Sequence, residues 1–252
     1  MPVAGMLFII GLALLAGAAT FALEKLVPAK KRAEHNDVVG FVYAVIGVCY
    51  AVLLGLVVIA AWNTQAAARA NTYTEGNGLS RLAWYAYSLP ESQHTEIEDL
   101  LTQYTYEVIT TEWADMARQQ SSPEAWSTYQ ELHKVIAAQR PAAPSDVAQY
   151  QIAVSAADQL GAARRERLAQ SIETIPPLLW TALLMGGVIT TGFAFLFGMK
   201  STGTHALIMF SLALLIGGLL LVISELVNPF NGTVKVGPVA LHLALQRIQE
   251  LS

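Results

Sequence analysis

Four stretches of 21 to 25 residues carry no Asp, Glu, Lys or Arg: Val3–Leu23, Val38–Trp62, Pro177–Met199 and Thr204–Ser224. At about 1.5 Å per helical residue each reaches roughly 30 Å or more, the thickness of a bilayer's hydrocarbon core. Lipid offers no partner for backbone N–H and C=O groups, so only helices and closed barrels span it. Uninterrupted apolar runs of this length are helical, because barrel strands alternate and are much shorter. The sequence therefore predicts an all-α, polytopic membrane protein with four transmembrane helices. Ala16-Gly17-Ala18 has the small-residue character of a signal-peptide cleavage site. No Lys or Arg precedes the first run, however, and the positive charges follow it, so a retained membrane helix is expected.

Charge is concentrated between the second and third runs. Residues 63–175 hold 8 Lys/Arg and 14 Asp/Glu, 22 of the chain's 34 charges. Residues 1–62 read as one membrane hairpin (spans 3–23 and 38–62) and 176–227 as a second (spans 177–199 and 204–224). Residues 63–175 read as a helical extramembrane domain inserted between helices 2 and 3, and 228–252 as a tail. In the inserted block Ile97, Leu101, Tyr104 and Val108 recur at helical spacing, with Tyr106, Ile109, Trp113 and Met116 as a neighbouring stripe. Val147, Tyr150, Val154, Ala157 and Leu160 repeat the pattern, giving three amphipathic helices plus an extension of the second span through about Ala70. Ser88-Leu89-Pro90-Glu91 and Ser121-Ser122-Pro123-Glu124 match capping boxes. Gln139–Ser145 reads as a linker. Leu241, Leu245, Ile248 and Leu251 make Pro238–Leu251 a short amphipathic helix, expected to pack on the inserted block.

Lys25, Lys30, Lys31 and Arg32 flank the first connection, which places it on the cytoplasmic side of the cell membrane and the inserted domain outside. Arg164, Arg165 and Arg167, close before the third span, weigh the other way. Trp62 and Trp180 lie where interfacial anchors belong.

No catalytic motif is present: there is no phosphate-binding loop, nucleophile elbow, dinucleotide fingerprint or zinc-protease helix. The five His have no paired ligand spacing, and the lone thiol, Cys49, reads as a small apolar packing residue. Neither an enzyme nor a cofactor or metal is expected, and a net charge of −4 argues against a nucleic-acid partner. The second span is the most informative helix. Gly40, Ala44, Gly47, Ala51 and Gly55 share one face, as small residues do where membrane helices approach closely, either within the chain or around the axis of a homo-oligomer. Tyr43, Ile46, Tyr50, Leu53 and Val57 form a different stripe, a candidate hydrophobic constriction if this helix lines a pore. Ionisable groups near lipid are functional candidates. Asp37 opens the second span as a helix-start acid or pore-mouth residue, and Glu225 ends the fourth as an intramembrane acid expected to pair with Arg164 or Arg167.

His35-Asn36-Asp37-Val38-Val39-Gly40-Phe41, Glu112-Trp113, Arg165-Glu166-Arg167-Leu168 before Pro177-Leu178-Leu179-Trp180, and Pro229-Phe230-Asn231-Gly232 together resemble the bestrophin-like family of prokaryotic membrane proteins. The resemblance covers most of the chain. It implies distant kinship with anion channels in which four-helix subunits surround an axial pore lined by their second helices. Val38–Val57 would then be the pore helix and Asp37 a mouth residue. It also implies a cytoplasmic polar block, opposite to the charge count. The resulting expectation is an oligomeric ion channel of open selectivity, with lipid, ions and further copies of the chain as partners. The alternative is a non-conducting membrane sensor or scaffold whose central helical domain binds a partner.

Overall fold

A computed structural model describing residues 2–141 and 143–251 contains only helices and connections, with no strand among those residues. Among the described residues four helices are long and apolar enough to cross a membrane: α1 (Pro2–Leu26), α3 (Asn36–Tyr87), α8 (Pro177–Ala194) and α9 (Thr202–Leu226). A one-turn helix, α2 (Ala29–Ala33), lies in the first connection. Between the second and third spans come the rest of α3, α4 (Glu91–Glu107), a π-helical turn (Val108–Glu112), α5 (Trp113–Met116), α6 (Pro123–Ala138) and α7 (Val147–Ile172). The chain ends in α10 (Val239–Glu250).

Two boundaries differ from the sequence reading. The second span continues as helix to Tyr87 instead of stopping near Ala70, because no helix-breaking residue occurs before Leu89-Pro90. The third ends at Ala194 rather than Met199, since the carbonyls beyond it are taken by side chains of the first connection, described below. Neither capping box forms as read. The cap of α6 is Ser122, one residue past Ser121, accepting the Ala125 N–H at 3.1 Å, whereas α4 follows Pro90 without a side-chain cap and Ser88 donates to Tyr85 O. Within the linker Gln139–Ser145, Ala142 lies outside the described residues.

The chain divides into two compact units, Met1–Asn63 with Thr174–Val227 and Thr64–Glu173 with Asn228–Ser252. In the first, α1 packs closely along α9 through small residues: a Cβ on Gly217 would lie 2.7 Å from Ile9, and one on Gly5 would lie 2.9 Å from Leu221. The membrane part of α3 buries Tyr50, Leu54, Val57 and Ala61 against Leu183 of α8 and Ile216 and Ile223 of α9. In the second unit the predicted stripe Ile97, Leu101, Tyr104 and Val108 is fully buried against Leu79, Leu82, Leu132 and Leu160. The neighbouring stripe divides: Trp113 and Met116 are buried while Tyr106 is 62% exposed. At 100° per residue Trp113 would sit about 120° from Leu101. The wider π turn at Val108–Glu112 holds back that rotation and brings Trp113 onto the buried face. Leu241, Ala244 and Ile248 of α10 join this core beside α4.

Candidate functional site

The membrane half of α3 has two opposite faces. Inward, Tyr50 donates a hydrogen bond to Leu183 O at 3.0 Å, and its ring occupies the space that a side chain on Gly186 would need. Outward, Phe41, Val45, Val48, Val52, Leu56 and Ile59 are exposed, Phe41 at 75% and Val48 at 65%. The constriction stripe read from the sequence is therefore split. Tyr50 and Val57 lie in the unit's core, at 6% exposure each. Ile46 and Leu53 are half-buried at the edge, and Tyr43 meets Phe197 edge-to-face at 5.6 Å. Cys49 and Asp37 are exposed.

The small-residue stripe does not serve as an intrachain seam. A Cβ on Gly47 or Gly55 would meet nothing within 4 Å, and one on Gly40 would only reach Phe197 at 3.8 Å, while Ala44 and Ala51 are exposed. Close approach occurs instead at Gly5, Gly186, Gly187, Gly198 and Gly217.

At the connection end of this unit, Arg32 is buried at 7%. Its guanidinium donates to Glu24 at 2.6 Å, to Val27 O at 3.0 Å, and to Phe195 O and Phe197 O at 2.9 Å each. Asn36 pairs twice with the Gly198 backbone at 2.9 Å, and buried His205 contacts Ala194 O through Nε2 at 3.1 Å. These side chains satisfy the carbonyls that end α8, which lipid could not solvate. Arg32, counted in the sequence only as a topogenic charge, is a clamp between two connections.

Among the described residues of the second unit four charged side chains are buried. Arg164 is 1% exposed, and Glu75, Glu112 and Arg167 are 0%. Arg164 donates to both oxygens of Glu112, through Nε to Oε1 at 3.1 Å and through Nη2 to Oε2, and also to Ser122 O at 3.1 Å. Arg167 grips Glu75 through Nε at 2.6 Å and Nη2 at 3.0 Å, and reaches Glu112 at 2.7 Å. Ser122 N–H donates to Glu112 at 3.1 Å and Tyr104 O–H to Glu75 at 2.7 Å. The two guanidinium carbons lie 5.1 Å over the rings of Trp126 and Trp113. Two acids and two bases cancel, which is what allows them to be dry.

Burial alone would push the Glu112 carboxyl up; bonds and charge from Arg164 and Arg167 outweigh it and hold it below the ordinary carboxylate value. Burial and the adjacent Glu75 push the Tyr104 phenol well up, keeping it a neutral donor. Burial would likewise weaken the Arg167 cation, but Glu75 and Glu112 reverse that.

The sequence placed Arg164 or Arg167 opposite Glu225; the carboxylates seated on them are Glu112 and Glu75. Glu225 is half-buried in the last turn of α9. A signal for the network was present: Arg164 and Arg167 continue the stripe of Leu160 at spacings of four and three, and Glu112 follows Val108 by four. Charges on a core stripe require partners on other core stripes. Among the described residues no group of three His, Cys, Asp or Glu could hold a metal ion.

A protein-family model described as the Bestrophin-like domain matches residues 10–241. Solved structures of a bacterial bestrophin homologue from Klebsiella pneumoniae share the fold. One superposes with a TM-score of 0.71 at 12% identity, covering 97% of each chain. Two point mutants of that homologue give TM-scores of 0.76 and 0.73 at 12% and 13% identity, the first covering 99% of this chain and 97% of the other, the second 98% of each. No curated protein gives a significant match.

Proposed function

The chain belongs to the bestrophin-like family, and on that premise we propose that it is the subunit of an oligomeric ion channel whose permeation path is lined by the membrane half of α3. The observation that carries this reading is the outward apolar face from Phe41 to Ile59, on a helix whose opposite face is packed on α8 and α9. Copies arranged about an axis would bring Val45, Val48, Val52 and their equivalents together as a hydrophobic constriction, of the kind that gates by dewetting. Asp37, exposed in the first turn of α3, gives one mouth a carboxylate. Tyr50 and Val57 set the helix in place, and Ile46 and Leu53 border the lining. The lining itself carries no charge, so selectivity rests with the mouths.

The test is flux from liposomes containing purified protein. Val48→Cys in a Cys49→Ala background should conduct and be blocked by a charged thiol reagent. Absence of flux from the unmodified protein, or conduction indifferent to the reagent, overturns the reading. A silent, monomeric preparation would favour a membrane-anchored scaffold.

A further inference from the structure

The segment Pro229-Phe230-Asn231-Gly232 is tied down on both sides of its exposed tip. Phe230 is buried and meets Trp113 edge-to-face at 5.6 Å. The Val236 N–H donates to Pro229 O at 2.7 Å, and the Trp113 indole N–H to Val236 O at 3.3 Å. Between these ties Asn231 and Gly232 are exposed. Gly232 has a φ of 89°, a left-handed backbone that glycine adopts readily, and its N–H donates to Oδ1 of Asn231 at 2.8 Å. Cγ of Asn231 lies one C=O bond, about 1.23 Å, from that oxygen, so the Gly232 nitrogen is at most about 4.0 Å from Cγ. Reacting atoms in a near-attack arrangement are about 3–3.5 Å apart, and glycine has no Cβ to obstruct the remaining approach.

The chain has a second Asn-Gly pair, Asn77-Gly78. Asn77 is exposed as well, but the pair lies inside α3, where each amide N–H points along the axis to the carbonyl four residues back. Gly78 is buried on α7: a Cβ there would lie 3.4 Å from Leu160 and 3.5 Å from Ala156 O. Its nitrogen cannot turn towards the Asn77 side chain unless the helix opens. Asn36, Asn63, Asn71 and Asn228 are followed by Asp, Thr, Thr and Pro, which are bulkier or, for Pro, lack the N–H.

We propose that Asn231-Gly232 is a self-modification site, at which the folded chain deamidates its own asparagine. The Gly232 nitrogen, its proton passing to water, attacks Asn231 Cγ. The new N–Cγ bond closes a five-membered succinimide, the Cγ–Nδ2 bond breaks, and Nδ2 takes a proton and leaves as ammonia. Water then opens the ring at either carbonyl, giving aspartate or isoaspartate. Both products add a carboxylate to a cavity of about 200 Å³ that Asn231 lines with Met116, Arg118, Gln119, Ser171 and Asn228. Arg118, paired with Asp115, thereby gains a second anion in its surroundings. In the isoaspartyl product the main chain also runs through Cβ and Cγ, one methylene longer beside the anchored Phe230. The reaction is one-way, so the charge accumulates with the age of the chain.

The experiment incubates the full-length protein in detergent in warm, mildly alkaline buffer, beside a sample unfolded in guanidinium chloride. Both Asn-Gly peptides are followed by digestion and mass spectrometry, with isoaspartate counted by an isoaspartate-directed carboxyl methyltransferase. In the folded protein Asn231 should convert at least about tenfold faster than Asn77, the factor that a helix-opening cost of about 1.4 kcal/mol sets. In guanidinium chloride the two rates should converge, because there the sites share only their sequence. On isoelectric focusing an acidic band should build up at the rate of the Asn231 reaction. It should be absent from Asn231→Ser and make up all of Asn231→Asp from the start. An Asn231 that stays unconverted in the folded protein, equal folded rates at Asn231 and Asn77, or a gap between them that survives unfolding overturns the proposal.

Discussion

Replacing Glu112 by Gln isolates the energetics of the buried ion network. The substitution keeps the volume and removes one charge. Glu112 accepts three guanidinium N–H groups and the Ser122 N–H. A glutamine oxygen can retain some of these bonds, but its NH2 then faces Arg164, donor against donor, and the two guanidiniums share a single carboxylate, Glu75. All four ionised groups are at most 1% exposed, so water cannot make up the deficit. Removing one member of such a set costs about 3–5 kcal/mol, a large share of the roughly 5–15 kcal/mol that holds a domain together. For a unit of this size that corresponds to a fall in melting temperature of about 10 °C. Trp113 and Trp126, stacked on the two arginines, give a fluorescence readout in the full-length protein in detergent. Removing charge in balance, Glu112→Met with Arg164→Met, should cost less than the sum of the single changes, since no ion is then left without a partner. A Glu112→Gln protein melting within 2 °C of the unmodified one, or a double variant as unstable as the sum, would refute the reasoning.

The same network fixes a pH dependence. A carboxyl held below its unfolded pKa contributes stability that is present above the unfolded value, about 4.3, and lost as pH falls through the folded one; melting of the unmodified protein should therefore steepen in acid below about pH 4, and Glu112→Gln should flatten that limb. Arg32→Ala frees the carbonyls of Val27, Phe195 and Phe197, bonds together worth about 3 kcal/mol, and Arg32→Lys should recover little because an ammonium cannot reproduce the fork; melting in detergent measures both. Gly186→Ala drives a methyl into the Tyr50 ring and should cost about 1–3 kcal/mol, whereas Gly55→Ala enters open space and should be neutral or better by up to about 1 kcal/mol. Ser127→Cys in a Cys49→Ala background should be labelled by an impermeant maleimide added to intact cells if residues 63–175 are extracytoplasmic, and only after lysis if they are not.

The four spans were legible because lipid imposes a one-dimensional rule: enough consecutive uncharged residues to cross. The stripe Ile97-Leu101-Tyr104-Val108 was legible because it is a regular α-helix. Trp113 and Tyr106 were assigned one face and occupy two, since a π turn between them leaves no mark in the composition. The stripe from Tyr43 to Val57 illustrates a different limit. Its spacing establishes that these residues share a side of α3, but not whether that side meets α8 and α9 or another surface. The positions of Gly186 and Gly187, which admit the Tyr50 ring, turn Tyr50 inward and leave Ile46 and Leu53 at the edge.

The buried network also changes what the charges near the membrane mean. By sequence, Arg164, Arg165 and Arg167 weighed against Lys25, Lys30, Lys31 and Arg32 in setting the side of each connection. In the folded chain Arg164 and Arg167 are neutralised by Glu112 and Glu75, and Arg32 by Glu24. The basic side chains that stay exposed near the ends of the spans are Lys25, Lys30, Lys31 and Lys200 in the two short connections, against Arg69, Arg165 and Lys235 in the second unit. An anionic leaflet attracts each exposed basic residue by about 1 kcal/mol, so pairing Arg32, Arg164 and Arg167 in the folded chain takes three charges out of that balance. Arg164 and Arg167 close to the third span are thus accounted for by the core they complete, and their presence is no argument that the surface around them faces the cytoplasm.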